Sequence, residues 1–271
     1  DGTISNSFYD ITKNTNYNNG LGVGKTTQEM SYGETFENAS WDIVADSSVT
    51  SLTPVIKWDS INNKYVWAIA PLALAYTLGD KTTTYNGTTQ NLSTLYNNST
   101  NIFGTNHSFI DLSKYKFQVA GNDITGYKDA AIYDNIKLVN NSDSFAILNA
   151  SGNTDGKLTI NKKDLTISAI TANNKTYDGT TTATLSNIGT LVGLVTGEDL
   201  VLNNPTSVIF SSKDVADGIT VTASGYTITD KDSFKASNYN LLDTSKTTTA
   251  NILNSLKQKT KKDKQKQNER T

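Results

Sequence analysis

The sequence predicts an all-β fold with two tandem sandwich modules, and three observations support this. Short segments of alternating apolar and polar residues recur between Gly, Asn and Asp turns. Helical periodicity is almost absent. The chain also repeats its own order of elements at a shift of about 92 residues, which indicates a duplicated module.

The composition favours strands and turns and narrows the possible chemistry. The 271 residues are rich in Ser, Thr and Asn but include only 3 prolines and no cysteine. Without cysteine the chain can form neither disulfides nor thiolate metal sites. Because the sequence begins at Asp1 without a basic and apolar leader, we expect any export signal to lie outside it.

The strand prediction is clearest in four segments whose apolar residues alternate with polar ones. Such a period of two places one face of each strand on a core and the other in water. The segments are Lys157–Ile160, Asp164–Ser168, Ser207–Phe210 and Gly218–Thr222. One short helix is predicted after Thr26, because the spacing from Thr26 to Glu29 fits a capping box.

Three separate matches establish the repeat. Tyr85–Thr89 aligns with Tyr177–Thr181, Ala73–Leu78 with Leu165–Ile170, and Leu158–Asn161 with Ala250–Leu253. The predicted modules therefore span residues 72–163 and 164–253, each of a size typical of immunoglobulin-like sandwiches. Since only residues 161–163 join them, we expect little free swinging and the role of a rigid stalk or spacer.

Each copy contains a Tyr-(Asn/Asp)-Gly turn. A short Asn or Asp side chain bonds local backbone, and Gly tolerates positive φ. We expect each tyrosine ring to pack on its sandwich while the hydroxyl bonds nearby backbone. The predicted structural turn residues are Tyr85, Asn86, Gly87, Tyr177, Asp178 and Gly179.

Three segments of the second copy carry a resemblance to a known family. Asn173–Thr181, Leu194–Asp199 and Ser237–Leu241 together resemble the YDG module of bacterial surface adhesins. The first copy, which ends in Gly152–Ile160, looks like the related MBG module. There Tyr-Asn-Gly replaces Tyr-Asp-Gly, and residues 144–146 lack the usual Asn-Tyr.

The N-terminal part resembles a further segment of such proteins. Gly2–Asp10, Gly22–Met30 and Thr35–Ile43 are similar to the segment that follows GLUG-type repeats in filamentous haemagglutinins. The resemblance implies that residues 1–71 form the end or cap of a right-handed β-helix. It also implies a protein at the bacterial cell surface, secreted through an outer-membrane transporter by two-partner secretion.

The last predicted part is a lysine-rich tail over residues 254–271. It combines positive charge with almost no apolar residues, which favours disorder. Because no aromatic residues interleave with its lysines, it lacks the stacking groups of a nucleic-acid binder, and no nucleic-acid partner is expected. The most apolar segment, Val66–Leu78, is too short to span a membrane.

No cofactor, metal site or catalytic group is expected. Gly20–Thr27 looks like a phosphate-binding loop, but its glycine spacing is wrong and no buried strand precedes it. His107 is the only histidine, and a single loop histidine offers neither a relay nor a zinc site. The carboxylates of Glu198, Asp199, Asp230 and Asp232 are interpreted as solvated loop charges.

Aromatic residues concentrate before the modules, at Trp41, Trp58, Tyr65 and Trp67. Burial of the rings and stacking on a sugar both explain Trp58, Tyr65 and Trp67. The leading hypothesis is a non-catalytic, monomeric fragment of a surface adhesin that binds a host or cell-surface receptor, for which a glycan is one candidate. A carbohydrate-binding module is the alternative, and a hydrolase that uses scattered carboxylates has the least support.

Overall fold

The structure is a computed structural model that describes residues 8–10, 12, 23–31, 33–37, 43–48, 50–51, 54–141, 146–148 and 151–254. The chain divides into two compact units. Within the described residues the first unit comprises 8–82, 89–127 and 132–159, and the second comprises 83–88, 128–131 and 160–254. Trp41, the apparent phosphate loop before Val23 and the tail beyond Asn254 lie outside the described residues. The predicted module boundaries stay a prediction.

Strands dominate both units, so the predicted all-β fold is confirmed. The first fourteen strands are β1 (Phe8–Asp10), β2 (Val23–Lys25), β3 (Ile43–Ala45), β4 (Val55–Asp59), β5 (Lys64–Ile69), β6 (Leu72–Leu74), β7 (Lys81–Thr84), β8 (Gln90–Asn91), β9 (Tyr115–Val119), β10 (Asn122–Ile124), β11 (Gly126–Tyr127), β12 (Ile132–Asn140), β13 (Ala146–Leu148) and β14 (Gly156–Asn161). They belong to the first unit, except that the last two residues of β7 and of β14 belong to the second.

The remaining strands all lie in the second unit. They are β15 (Lys163–Ile167), β16 (Thr171–Ala172), β17 (Lys175–Thr176), β18 (Leu185–Asn187), β19 (Leu191–Val192), β20 (Val201–Leu202), β21 (Ser207–Phe210), β22 (Ala216–Ser224), β23 (Ile228–Thr229), β24 (Tyr239–Leu241) and β25 (Ser245–Leu253).

Short helices punctuate the strands. They are α1 (Thr27–Met30), α2 (Gly33–Glu37), α3 (Leu92–Leu95), α4 (Ser99–Phe103) and the 3-10 turns Thr105–His107, Leu112–Lys114 and Ala236–Asn238. The predicted capping box is confirmed, because the Glu29 amide donates to Thr26 Oγ1 at 3.1 Å and the Thr26 amide donates to Glu29 Oε2 at 2.8 Å. The expectation of one helix before residue 72 was wrong, since α2 follows α1. A helix of about one turn is too short to show a 3.6-residue period.

The duplicated order of elements is visible in the sheets. One sheet has the strand order β10-β9-β12-β14-β7, and another has the order β21-β22-β25-β17. In both, the closing strand of the copy lies between a long antiparallel strand and the strand that leads into the Tyr-(Asn/Asp)-Gly turn. The opening strands repeat as well, since β6 pairs in parallel with β13 and β15 in parallel with β24.

The match extends to single hydrogen bonds. The Tyr85 amide donates to the Asn161 carbonyl at 2.8 Å, and the Tyr177 amide donates to the Leu253 carbonyl at 2.9 Å. Donor and acceptor are both shifted by about 92 residues, the period that the sequence shows. The predicted repeat is therefore confirmed at the level of strand pairing.

The core of the second unit follows the alternation of its long strands. Ile219, Val221 and Ala223 of β22 face inward, as do Ala250 and Ile252 of β25, while the residues between them are more exposed. Full burial of a Val or Ile side chain stabilises a fold by roughly 1.5–3 kcal/mol. The same alternation buries Leu158 and Ile160 of β14 and Ile136 and Leu138 of β12.

Each long antiparallel strand contains a bulge with a residue in the left-handed region. The register of β12 against β14 shifts between Tyr133 and Ile136, where Asn135 has φ 58°. The register of β22 against β25 shifts between Ala216 and Ile219, where Gly218 has φ 68°. Both bulges end at a buried isoleucine, so the extra residue turns the side chain of that isoleucine back toward the core.

We predict that Gly218→Ala destabilises the protein by about 1–2 kcal/mol through backbone strain alone, because a Cβ at Gly218 would meet no atom within 4 Å. Gly218→Asn, which copies the first bulge, should cost less, since Asn tolerates the left-handed region better than Ala. Urea unfolding of the full chain measures both, and equal losses for Ala and Asn would contradict the strain explanation.

Candidate functional site

The hairpin β4–β5 presents large apolar side chains on both of its faces. One face is buried through Val66 and Ala68. On the other face Ile56 pairs across the strands with Trp67, and Trp58 pairs with Tyr65. We call Ile56, Trp58, Tyr65 and Trp67 the aromatic face.

The aromatic face is open to solvent. Trp58 is 46% exposed and Tyr65 is 70% exposed, and their ring centroids lie 5.0 Å apart at an interplanar angle of 66°. Scattered exposed apolar residues are ordinary, but four neighbours on one hairpin form a patch of the kind that marks interaction surfaces. The structure thus brings the three predicted residues Trp58, Tyr65 and Trp67 together.

The tip of the hairpin is held rigidly by Asp59. Its Oδ1 accepts the amides of Ile61 at 2.9 Å and of Asn62 at 3.1 Å, and its Oδ2 accepts Asn62 Nδ2 at 2.8 Å. These bonds lower the pKa of Asp59. Asn63 completes the turn in the left-handed region at φ 52°. Ile61 is presented to solvent at this tip.

A polar cleft of about 240 Å³ lies beside the aromatic face. Trp58 and Asp59 line it together with Asp46 and Lys57, which form an ion pair. The hydrogen bond from Lys57, assisted by Ser48, lowers the pKa of Asp46 to about 2. The cleft is smaller than the ~300–1,000 Å³ of typical small-molecule pockets, so recognition here would use the open face, with the cleft supplying polar contacts at its edge.

The two predicted turns have the same internal geometry. Asn86 Oδ1 accepts the Thr88 amide at 3.0 Å, and Asp178 Oδ1 accepts the Thr180 amide at 2.9 Å. The glycines of the two turns, Gly87 and Gly179, have φ 79° and 78°. In both turns the short Asn or Asp side chain thus bonds local backbone and the Gly has a positive φ.

The two tyrosines differ from the prediction and from each other. Tyr85 is 3% exposed, but its hydroxyl donates to the Glu198 side chain rather than to backbone. Tyr177 is 46% exposed, so its side chain is covered much less than that of Tyr85. The sequence comparison could not show this difference, because the groups around Tyr85 come from the other copy.

Lys175 stabilises the second turn from within. Its side chain is largely buried, and its ammonium donates to Asp178 Oδ1 at 2.8 Å and to the carbonyls of Thr180 at 2.7 Å and Thr182 at 3.0 Å. The bond from Lys175 is the main cause that lowers the pKa of Asp178 to about 2. The positions 92 residues before Lys175 and Asp178 are Thr83 and Asn86. The first turn therefore has two neutral residues where the second turn has a charged pair.

The interpretation of Glu198 as a solvated loop charge was wrong. Glu198 lies in the second unit, to which Tyr85 also belongs, and accepts the hydroxyls of Tyr85 and Tyr239, each at 2.6 Å. The rings of Tyr85 and Tyr239 meet edge to face at 5.4 Å. Burial, with the bond to Glu198, raises the pKa of Tyr239 to about 12 and raises that of Tyr85 as well. Both phenols are thereby kept neutral as donors.

A second polar contact lies in the same unit. Asn238 is buried, accepts the Ala130 amide at 2.7 Å and donates to Asp129 Oδ1 at 3.0 Å. Lys235 forms an ion pair with Asp129. Residues 83–88 and 128–131 are therefore held in the second unit by the segments around Glu198 and Asn238.

These contacts converge on motifs that the sequence comparison singles out. Leu194–Asp199 supplies Glu198, and Ser237–Leu241 supplies Asn238 and Tyr239. Residues 161–250 match a family model, the YDG domain. The chain contains a YDG domain. Comparison with curated proteins gave no match, and comparison with solved structures gave none either.

Other candidate chemistry is sparse within the described residues. They contain no group of three or more His, Cys, Asp or Glu side chains able to hold a metal ion. Lys25, the lysine of the apparent phosphate loop, forms an ion pair with Glu29 at 3.4 Å. His107 Nδ1 donates to the Phe103 carbonyl at 2.8 Å at the end of α4. No helix in the described part of the chain has the length and apolar character needed to cross a membrane.

Sequence reasoning missed Ile56, Lys175, Glu198 and Tyr239. The alternation of Ile56 and Trp58 along β4 was a usable signal, because residues two apart on a strand share a face. Lys175 could have been found from its spacing to Asp178. Glu198 and Tyr239 gave no local signal, since their partner Tyr85 is more than a hundred residues away.

We predict that Asp178→Asn changes the pH dependence of unfolding. Because the folded-state pKa of Asp178 lies below its ordinary value of 3.8, its contribution is fully present above about pH 4 and is lost as the pH falls toward 2. The stability difference between the wild type and Asp178→Asn should shrink over that interval. Urea unfolding at several pH values measures it, and a constant difference would contradict the pairing with Lys175.

We predict that Glu198→Ala destabilises the protein by about 2–4 kcal/mol, because it leaves two buried phenols without their acceptor. Tyr85→Phe, which removes one hydroxyl and leaves the ring, should cost only about 0.5–1.5 kcal/mol. Equilibrium unfolding of both variants and of the double variant gives the coupling. If the double variant loses as much stability as the two single variants together, that result would argue against a direct bond between Tyr85 and Glu198.

Proposed function

We propose that this chain is a non-catalytic part of a secreted bacterial surface adhesin and that the aromatic face is its contact with a glycan receptor. The observation that carries the proposal is the exposure of Ile56, Trp58, Tyr65 and Trp67 on one side of a hairpin whose strand β5 buries Val66 and Ala68 on the other side. Folding does not require these side chains to face solvent. Tyr and Trp are the residues most often found as anchors in binding surfaces.

The chemistry of the face suits a sugar. A pyranose ring offers one apolar side, which stacks on an aromatic ring, and a rim of hydroxyls that donate and accept hydrogen bonds. Trp58 and Tyr65 supply open rings, and the cleft beside Trp58 supplies the carboxylates of Asp46 and Asp59 as acceptors. The ordered hairpin tip keeps these groups in place and limits the entropy lost on binding.

The surrounding architecture supports the adhesin context. A YDG domain is found over residues 161–250, and the YDG module that the sequence resembles recurs in bacterial surface adhesins. The proposed end of a right-handed β-helix is supported by the parallel pairs β1–β2 and β3–β5. The proposed immunoglobulin-like modules are supported by the repeated antiparallel ladders. Filamentous-haemagglutinin ancestry, export through an outer-membrane transporter and a spacer role for the modules complete the proposal.

The test is glycan binding by the full chain. On a glycan array the wild type should bind a defined set of sugars, and Trp58→Ala or Tyr65→Ala should weaken that binding about 30-fold, the effect of losing roughly 2 kcal/mol at an aromatic anchor. Ile56→Ala and Ile132→Ala form a matched pair, because both isoleucines are 63% exposed and only Ile56 lies on the aromatic face.

Two outcomes separate the possibilities. If the sugars that bind the array also block attachment of chain-coated beads to cells, the adhesin function is supported. If beads attach equally well after Trp58→Ala, the face is a carbohydrate-binding site without a role in attachment. A chain that binds no glycan at all would refute the assignment of the aromatic face.

A further inference from the structure

The turns at Tyr85 and Tyr177 are equivalent in backbone but not in surroundings. Their amide bonds, their Asn or Asp turns and the φ values of their glycines coincide. Yet the Tyr85 side chain is 3% exposed and the Tyr177 side chain is 46% exposed. The second unit therefore contains one turn of this type that is covered and one that is open.

The groups that cover Tyr85 are known in detail. Its hydroxyl donates to Glu198 Oε1 at 2.6 Å, and its ring meets the ring of Tyr239. Tyr239 in turn donates to Glu198 Oε2 and accepts the Val195 amide at 3.2 Å. We call Val195, Glu198 and Tyr239 the tyrosine socket, and all three belong to the YDG domain.

The neighbouring glycines show the same contrast. A Cβ added at Gly87 would lie 2.7 Å from Val195 Cγ1, so the socket approaches the first turn too closely for any side chain there. A Cβ added at Gly179 would meet nothing within 4 Å. The second turn keeps a glycine and an exposed tyrosine of the shape that a socket accepts, with open space in front of them.

The geometry points to a docking surface at Tyr177, Asp178 and Gly179 for a further YDG-type module that carries its own tyrosine socket. Such a partner would accept the Tyr177 hydroxyl with a glutamate and pack a tyrosine ring edge to face against Tyr177, as the socket does with Tyr85. Lys175 neutralises Asp178, so an approaching glutamate meets no net negative charge.

Two other occupants fit less well. The segment 255–271 contains no tyrosine with which to build a socket. A second copy of this chain has a tyrosine socket, but that socket is already filled by the Tyr85 of the second copy. Because this Tyr85 belongs to the same chain as the socket, its effective concentration is high and it outcompetes the Tyr177 of another chain. The occupant is therefore a YDG-type module whose own tyrosine socket is empty.

The direct test extends the full chain by repeating residues 163–254 immediately after Asn254, which reproduces the spacing between Asn161 and Lys163. In the 271-residue chain Tyr177→Ala should shift the melting temperature by less than about 2 °C, as expected of an exposed side chain. In the extended chain the same substitution should lower it by about 4 °C or more, because Tyr177 would then be buried.

Two controls make the comparison specific. Tyr65→Ala removes an exposed tyrosine from outside the turn and should act equally in both chains. Gly179→Ala should become more harmful in the extended chain, where the added socket would approach it as Val195 approaches Gly87. Equal effects of Tyr177→Ala in the two chains would overturn the proposal.

A test between separate chains covers the case in which the added module does not fold. Tyr85→Ala empties the socket of the full chain, and this variant should then bind the wild type through the Tyr177 of the latter. Sedimentation of the mixture should show a complex that weakens at least tenfold when the wild-type partner carries Tyr177→Ala. Absence of any complex at high concentration, with the variant folded by circular dichroism, would count against the socket as the occupant.

Discussion

The position of the closing strand in each copy is the constraint on which the rest of the structure depends. Strand β14 lies between β12 and β7, and β25 lies between β22 and β17. One neighbour of β25 is antiparallel and the other is parallel. A parallel neighbour cannot be reached by a tight turn, so most of the second copy must lie between its entry strand β17 and its closing strand β25.

The position of the closing strand also explains why the same small features recur in both copies. The last residue of the closing strand accepts the amide of the turn tyrosine, which fixes where the Tyr-(Asn/Asp)-Gly turn begins. A bulge in the antiparallel neighbour then returns an isoleucine to the core. What differs between the copies is what each turn contacts: Tyr85 is covered by the tyrosine socket, and Tyr177 is presented to solvent.

The aromatic face does not follow the pattern of burial seen in the repeated strands. In β14, β22 and β25 the apolar residues mark the buried side, as a period of two requires. In β4 and β5 large apolar residues occupy both sides, and the aromatic side stays exposed. Burial in the core accounts for Val66 and Ala68 but not for the exposed Trp58 and Tyr65, and this is the physical reason to propose a binding surface on this hairpin.

Much of this could be predicted from the sequence where the signal is local. The alternation predicts β22 and β25, Thr26 and Glu29 predict the cap of α1, and the repeat predicts the equivalence of the two turns. The clustering of Trp58, Tyr65 and Trp67 in the sequence predicts them as candidate glycan contacts. Contacts between distant segments could not be predicted, since nothing near Glu198 indicates that Tyr85 reaches it. Helices of one turn, such as α2, carry too few residues for a periodic signal.

The most direct measurement of the account is native-state hydrogen exchange of the full chain, followed residue by residue by NMR. The account predicts that the amides of Tyr85 and Tyr177 are both strongly protected, together with the ladders of β14 and β25, although one tyrosine ring is buried and the other is open. An unprotected amide at either tyrosine, with the long strands still protected, would contradict the claim that one framework is built twice.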